Sequence, residues 1–376
     1  MKKHLTIIVI IITMISFLSC KKENTSTISR AYSPPVVPAQ PIPSYPEGAV
    51  PDAILIGQLS HPGSDIAATV CLDKLFFAST DSGNIATAQT LVDVFDLRTF
   101  DNTTFPLSRN RRKITAVAAG SQVFFAGGYD GAPVSRVDIY DLTNNSWSSS
   151  ELSIPRYSMA ATALGNKVYF AGGINASGGP VTRVDIYDIS AKSWTSAELS
   201  EGRSNLAAGA IGDLLLFCGG RTLYNNQSSI VDIFNTSTNN WSVTHMPFEA
   251  KDCKSQVLDN ILYVGGSRVN NGELGPIVNV FQNSSVPWPN GFNFPDIEDN
   301  MELGASNGHL AVIGQRKMNT SIMIDINIAT DMWNRVPFKN DIQGEAIISH
   351  DNFLYIAGGV INAGTKRISG VYRFKL

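Results

Sequence analysis

Short stretches of alternating apolar and polar residues, separated by turns, recur along most of the chain. In one copy, residues 158–164 are small, residues 165–167 form a turn, and residues 168–173 are apolar and end in a glycine pair. Residues 184–188 then alternate again, and Trp194 opens a further stretch. Alternation with a period of two predicts half-buried β-strands. The pattern therefore predicts units of four short antiparallel strands.

Two markers repeat at a spacing close to 47 residues. All five tryptophans are in register, at Trp147, Trp194, Trp241, Trp288 and Trp333. Five glycine pairs keep the same spacing, at 127–128, 172–173, 219–220, 265–266 and 358–359. Four-stranded units at such a period are typical of propeller blades. Six intervals separate Thr80, at this place in the first copy, from Gly359 in the last, so the pattern predicts seven blades.

The repeat resembles the Kelch motif, in which an apolar strand ending in Gly-Gly precedes an aromatic residue (Tyr140, Tyr187, Phe234) and then Trp. The resemblance covers residues 52–376 and implies an all-β fold, a seven-bladed Kelch-type β-propeller. The first copy has residues 76–80 in place of the glycine pair, and the sixth keeps a single glycine, Gly314.

The two ends of the repeat region complement each other. Residues 371–376 align with residues 137–142, so the last copy lacks a fourth strand. Residues 59–62 align with residues 152–155, which places Ile54 at the position of Trp147. We therefore expect Ile54 to Leu59 to complete the last blade and pair its exposed edge. This closure makes residues 52–376 one domain.

The segment before the propeller predicts export. Lys2 and Lys3 precede an apolar run from Leu5 to Ser19, which at 15 residues suits a signal peptide better than a membrane span. Residues 17–20 resemble a bacterial lipobox, which implies removal of residues 1–19 and lipidation of Cys20. The alternative is an ordinary signal peptide with a chance cysteine. Residues 20–51, polar and then proline-rich, predict a disordered tether.

Charge and composition limit the kinds of partner that we expect this protein to bind. The formal net charge of −3 argues against nucleic-acid binding, which needs a basic surface. The resemblance to lipoproteins implies attachment to the membrane through the lipid alone, and Lys21 after the cysteine, where inner-membrane lipoproteins commonly have Asp, favours the outer membrane. Cys71, Cys218 and Cys253 lie near predicted strands and are interpreted as core thiols. The five histidines show no metal-binding spacing, so we predict neither metal nor cofactor, and we expect a monomer.

Kelch propellers carry their binding groups on one face, which the resemblance assigns to the loops between second and third strands and the connections between blades. We call this the loop face. The candidate ligand-binding residues there are Arg109, Arg111, Arg112, Tyr129, Asp130, Arg156, Asn175, Arg203, Arg221, Tyr224, Asn225 and Arg268.

Arg111, Arg156 and Arg203 recur at one position of successive copies. Convergent guanidinium groups can bind a carboxylate or phosphate, but a recurring arginine can also join neighbouring blades. Arg109 and Arg112 depart from the repeat and are the better candidates for ligand contact. Aspartates that recur in the third strands are interpreted as structural hydrogen-bonding groups.

The leading hypothesis is a lipid-anchored envelope module that binds a protein or a glycan through the loop face. The alternative is a carbohydrate-active enzyme such as an N-acetylneuraminate epimerase, a family of secreted Kelch propellers. The copper-binding Tyr, Cys and His set of galactose oxidase, another Kelch-type propeller, has no match in the sequence. A structural envelope protein without a small ligand is a third possibility.

Overall fold

The computed structural model describes residues 54–375, apart from 63–64, 81–88, 271–272, 283–287, 289–290, 295–296, 298, 316–320, 338–345, 359, 362–365 and 368. The predicted signal peptide, the lipidation site Cys20 and the predicted tether lie outside the described residues. Within the described part of the chain, no helix has the length and apolar character needed to span a membrane.

The described strands form four-stranded antiparallel blades that follow one another along the chain. The strand that precedes them is β1 (Ile54–Gln58). The first blade contains β2 (Ala67–Cys71), β3 (Lys74–Thr80), β4 (Thr90–Asp96) and β5 (Asn102–Pro106). The second contains β6 (Thr115–Ala119), β7 (Gln122–Ala126), β8 (Arg136–Asp141) and β9 (Ser146–Glu151). The third contains β10 (Ala160–Leu164), β11 (Lys167–Ala171), β12 (Arg183–Asp188) and β13 (Ser193–Glu198).

One long strand joins the fourth and fifth blades into a seven-stranded sheet. Its members are β14 (Ala207–Ile211), β15 (Leu214–Cys218), β16 (Ser228–Asn235), β17 (Asn240–Leu258), β18 (Ile261–Asn270), β19 (Glu273–Gln282) and β20 (Gly291–Asn293). The first half of β17 pairs with β16 as an outer strand, and its second half pairs with β18 as the next inner strand. The sheet therefore counts as two blades.

The last two blades complete the ring. The sixth contains β21 (Asp299–Ser306), β22 (His309–Gln315), β23 (Ser321–Asn327) and β24 (Met332–Pro337). The seventh contains β25 (Ala346–His350), β26 (Phe353–Ala357) and β29 (Gly370–Lys375), with a small hairpin of β27 (Val360–Ile361) and β28 (Lys366–Arg367) between them. The described residues thus form the seven blades that the periodicity predicts.

The N-terminal strand closes the ring. β1 pairs antiparallel with β29, with Ile54 opposite Arg373 and Gln58 opposite Gly370. The Leu59 N–H then donates to the Ser369 carbonyl at 2.7 Å. The last blade therefore has the order β25-β26-β29-β1, and the prediction that the N-terminal segment supplies its fourth strand is confirmed.

The first strands of the blades form the inner wall of the ring. Each contacts the next, through β2, β6, β10, β14, β17, β21 and β25, and β25 contacts β2. Five of these strands line a cavity of about 520 Å³, with small side chains such as Ala116, Ala161 and Ala208. Small residues are needed here because strands that converge on one axis leave little room for side chains.

The tryptophans pack between blades, which explains their recurrence. Trp147 lies opposite Tyr140 in the β8–β9 pair, with ring centroids 4.9 Å apart, and also contacts Phe105 of the preceding blade at 6.1 Å. Such cross-strand aromatic pairs stabilise sheets. Trp194 adds a hydrogen bond to the neighbouring blade, from its indole N–H to the Ser150 hydroxyl at 2.7 Å.

Candidate ligand-binding loop face

The recurring arginines lie inside the blades, and Arg156 shows their surroundings. Its guanidinium is wholly buried. Nε donates to the carbonyl of Gly172 at 2.9 Å, Nη2 to that of Phe170 at 3.0 Å, and Nη1 to Asp185 Oδ2 at 2.7 Å. Burial lowers the pKa of Arg156 and the Asp185 carboxylate opposes that shift. Matching ion pairs bury Arg111 with Asp138 and Arg203 with Asp232.

The backbone of each arginine docks on the preceding blade, and the glycine pair makes room for it. The Arg156 carbonyl accepts a hydrogen bond from the Gly128 N–H at 3.0 Å. A Cβ on Gly127, whose φ is +63°, would lie 2.4 Å from the same oxygen. Arg156 therefore joins two blades, with its backbone on one and its side chain in the next.

The degenerate copies replace this junction in different ways. In the first blade, the hydroxyls of Thr80 and Thr90 donate to the Arg111 carbonyl at 2.9 and 3.0 Å, in place of glycine N–H groups. In the fifth, Ala250 takes the place of the arginine and Asn279 that of the aspartate, so both charges are lost together.

The glycine pair of the fifth blade is shifted by one residue from the structural register. Val264 lies opposite Asn279 just as Phe217 lies opposite Asp232. Gly265 consequently lies within β18, and Gly266 takes the place that Gly219 has in the fourth blade. Spacing alone does not reveal this shift.

Arg111, Arg156 and Arg203 are thus placed in the blade interiors, where each guanidinium donates to main-chain oxygens and to an aspartate. Arg203 Nε has no hydrogen-bond partner among the described residues. A ligand on the loop face does not reach them in this arrangement. Of the two roles considered for these arginines, their burial fits the joining of blades, and we leave them out of the binding surface.

A left-handed backbone conformation recurs just before the first strands. Non-glycine residues with φ between 48° and 59° occupy this place in five successive blades: Asp65, Lys113, Ser158, Asn205 and Asp252. Backbone strain often marks a functional residue, but strain repeated in every one of these blades belongs to the architecture. What differs between blades is the side chain that each of these residues presents.

The second and third blades together present a basic and aromatic surface on the loop face. The Arg112 guanidinium lies over the Tyr129 ring at 5.9 Å, and the Lys113 ammonium lies over the Tyr157 ring at 5.3 Å. The two tyrosine rings meet edge to face at 5.4 Å. Arg112 and Lys113 are exposed. We call these four residues the basic–aromatic patch.

The backbone holds the patch in place. Arg112 and Tyr129 exchange main-chain hydrogen bonds of 3.0 and 2.8 Å, so the connection between blades and the β7–β8 loop are fixed to each other. At its edge, Arg109 Nε donates to Asp130 Oδ2 at 2.6 Å. That ion pair neutralises Arg109. No ion pair is observed for Arg112 or Lys113 in the described part of the chain.

The loop of the third blade is held by its own hydrogen bonds. The Asn175 side-chain oxygen accepts hydrogen bonds from the Ser177 N–H at 3.1 Å and from the Ser177 hydroxyl at 2.7 Å. Such a turn fixes the loop.

The fourth blade forms a polar cleft of about 770 Å³. The β15–β16 loop supplies Tyr224, which is 82% exposed, and Asn225. Across the cleft the Ser229 hydroxyl lies 3.1 Å from His245 Nδ1. The remaining lining residues are Glu201, Thr222, Asn226, Gln227, Ser228, Ile230, Glu249 and Lys251.

The other two arginines of this face have structural contacts. Arg221 forms an ion pair with Asp252 of the next blade and hydrogen bonds to Asn225. Arg268 lies over the Phe248 ring at 4.9 Å. The contacts of Arg221 support the loop that carries Asn225.

Lys113 and Tyr157 are the patch residues that sequence reasoning missed. Both lie one or two residues after a recurring arginine, at 111 or 156. Comparison of the residues that follow each arginine, which differ from blade to blade, could have identified them.

The comparisons with known proteins agree with this architecture. A Kelch motif model matches residues 111–150 and 155–198. A solved structure titled "Structure of YjhT" is similar over 74% of this chain and 98% of its own, with 13% sequence identity and a TM-score of 0.57. No curated protein matches the chain significantly. The matched motifs lie in the second and third blades, and the structural likeness covers most of the ring; the fold is therefore that of a Kelch-type β-propeller.

Proposed function

We propose that this protein is a binding module of the bacterial cell envelope that recognises a glycan or a protein through its loop face. The observation that carries the proposal is the basic–aromatic patch, where two exposed cations lie beside two tyrosine rings. The residue types at these positions differ from blade to blade, so the folding of the blades does not require these side chains. Their grouping is best explained by a ligand.

The chemistry of the patch favours a glycan that carries carboxylates. A guanidinium binds a carboxylate through two parallel hydrogen bonds, and a nearby ammonium adds a further donor. A tyrosine ring offers a flat apolar surface with a hydroxyl at its end, which suits a sugar ring. The amides and hydroxyls of the fourth-blade cleft supply further donors and acceptors for sugar hydroxyls.

Binding of acidic sugars tests this proposal. We expect N-acetylneuraminic acid or polygalacturonate to bind the wild type in calorimetric titration, and neutral dextran to bind much less. Lys113→Asn should weaken binding by roughly 10-fold or more, because a hydrogen bond to a charged group contributes about 1.5–3 kcal/mol. Asparagine tolerates the left-handed backbone of this position.

The chain offers a matched control. Lys192 is also exposed and also left-handed, with a φ of 51°, but it lies in the β12–β13 turn. Lys192→Asn should leave binding unchanged. Equal losses in both variants would show only a general effect of charge. If acidic glycans bind neither the wild type nor the variants, whereas an acidic protein binds the wild type, the glycan assignment is wrong and a protein ligand is supported.

The anchor at Cys20 is proposed from the sequence. The charged start, the short apolar run and the lipobox-like residues 17–20 support it, and Lys21 favours the outer membrane. Mass spectrometry of the mature protein should find a diacylglycerol on an N-terminal Cys20. An unmodified Cys20, or a different N-terminus, would reject the anchor.

A carbohydrate-active enzyme, such as a sialic acid epimerase, is the second candidate. The cleft favours it, since His245 and Ser229 lie within hydrogen-bonding distance there, near two glutamates. Exchange between the anomers of N-acetylneuraminate, followed by NMR, should then be accelerated by the wild type and not by His245→Gln. If the rate equals that without protein, the enzyme hypothesis fails.

A further inference from the structure

Closure of the ring brings together three possible metal ligands from opposite ends of the sequence. Asp73 lies in the β2–β3 turn of the first blade, whereas His350 ends β25 and Asp351 opens the next turn of the seventh blade. One ligand atom from each lies within 4.8 Å of the other two. His350 Nε2 is 3.5 Å from Asp73 Oδ1 and 3.7 Å from Asp351 Oδ2.

These separations suit a small divalent cation. An imidazole nitrogen and two carboxylate oxygens are ligands that Zn²⁺ takes at about 2.0–2.2 Å. In a tetrahedral arrangement, ligands at that distance lie roughly 3.3–3.6 Å apart. The two separations from His350 are within a few tenths of an ångström of this geometry, and Asp351, the most exposed of the three, leaves room for a water ligand.

The imidazole makes no close hydrogen bond in this arrangement. The His350 side chain is 20% exposed, but its Nε2 atom is shielded from solvent and has no hydrogen-bond partner among the described residues. Its 3.5 Å separation from Asp73 Oδ1 is within ion-pair range but too long for a good hydrogen bond. A buried polar atom without a partner costs free energy. A cation at the centre of the three groups would satisfy this nitrogen.

Arg98 prepares Asp73 for such a role. Its Nε donates to Asp73 Oδ2 at 2.8 Å, which leaves Oδ1 on the side of the imidazole. Partners that hold a ligand from behind are common at metal sites.

We propose that Asp73, His350 and Asp351 bind Zn²⁺ across the junction of the first and seventh blades. The ion would connect the two blades beside the seam that β1 closes. It would act as a structural clasp, separate from the loop-face ligand.

Calorimetric titration of the tag-free full chain with ZnCl₂ tests this proposal. We expect one saturable site and a rise in Tm with Zn²⁺, because an ion that binds only the folded state stabilises it. Asp351→Asn should weaken the site by about tenfold or more, since an amide is a poorer ligand than a carboxylate. Co²⁺ should give the visible absorption of a tetrahedral complex in the wild type and not in the variant.

Asp259→Asn is the matched control. Asp259 lies at the corresponding turn of the fifth blade with the same φ of 51° as Asp351, so the two changes perturb the backbone alike. Asp259→Asn should bind Zn²⁺ as the wild type does. The proposal is overturned if no site saturates below about 1 mM, or if Asp351→Asn and Asp73→Asn both bind as tightly as the wild type.

Discussion

Arg156 illustrates how a charged residue can be required by the fold of a repeat protein. Its ion pair with Asp185 is fully buried, and its carbonyl holds the preceding blade. Removal of one partner leaves the other charge buried without compensation, which typically costs about 3–5 kcal/mol. Of the two roles that the sequence leaves open for this side chain, its contacts fit the joining of blades.

We therefore expect Arg156→Ala to lower the free energy of unfolding by about 3–5 kcal/mol, whereas the exposed Arg112→Ala should change it by less than about 0.5 kcal/mol. Denaturant titration of both variants measures the difference. Arg156→Ala with Asp185→Asn reproduces the Ala250 and Asn279 pair of the fifth blade and should recover part of the loss. If the double variant is no more stable than the single one, the uncompensated charge is not the cause.

The three described cysteines give a second prediction at this scale. Cys71, Cys218 and Cys253 are buried and free. Burial raises the pKa of Cys71 to about 11 and that of Cys253 to about 12, and it raises the pKa of Cys218 further. Because the thiolate is the reactive form, iodoacetamide at pH 8 should leave these residues unmodified in the folded protein and label all three in guanidinium chloride. Peptide mass spectrometry locates the labels, and rapid labelling of folded protein would contradict the packing.

Among the structural elements, the junctions between blades depend on glycine. Gly172, with a φ of +65°, has the Arg203 carbonyl 2.2 Å from where a Cβ would lie, whereas Gly165, with a φ of +59°, has nothing within 4 Å. Both are left-handed, so alanine costs about 1–2 kcal/mol at either place through the backbone alone.

Gly172→Ala should accordingly be the more destabilising of the two by more than about 1 kcal/mol, because only there does the methyl group also force two blades apart. The difference in Tm between Gly172→Ala and Gly165→Ala measures the effect of the methyl group at the junction between blades. Equal effects would mean that the blades adjust to the added methyl group.

The closing strand yields a prediction for a whole element. Deletion of residues 52–60 removes β1 and leaves β29 as an open edge. This truncation should lower Tm far more than deletion of residues 24–45, a part of the predicted tether. Equal melting temperatures would show that β1 contributes little to the ring.

For the whole molecule, the sequence predicts the ring better than its surface. Trp147, the glycine pairs and the strand alternation recur because each blade packs on the next in the same way, so seven blades and their closure follow from spacing. The same recurrence leaves two roles open for Arg156, since a repeated residue can serve the fold or a ligand, and its burial favours the fold.

Two contacts, that of Tyr129 with Tyr157 and that of Asp73 with His350, could not be predicted for another reason. Tyr129 and Tyr157 meet across a junction between blades, and Asp73 meets His350 only after the chain ends come together. Contacts between residues so far apart in the chain leave no local pattern in a single sequence.

The pairing of β1 with β29 also determines when the ring can close during synthesis of the chain. β1 is among the first strands to be synthesised, yet its partner follows about 315 residues later, which at about 5–20 residues per second is a delay of roughly 15–60 s. Until β29 has been synthesised, β1 has no partner strand. Its unpaired backbone groups and the apolar side chains of Ile54 and Leu55 can then associate with other chains. The ring can close only after β29 has been synthesised, so the unclosed chain needs protection from association until then.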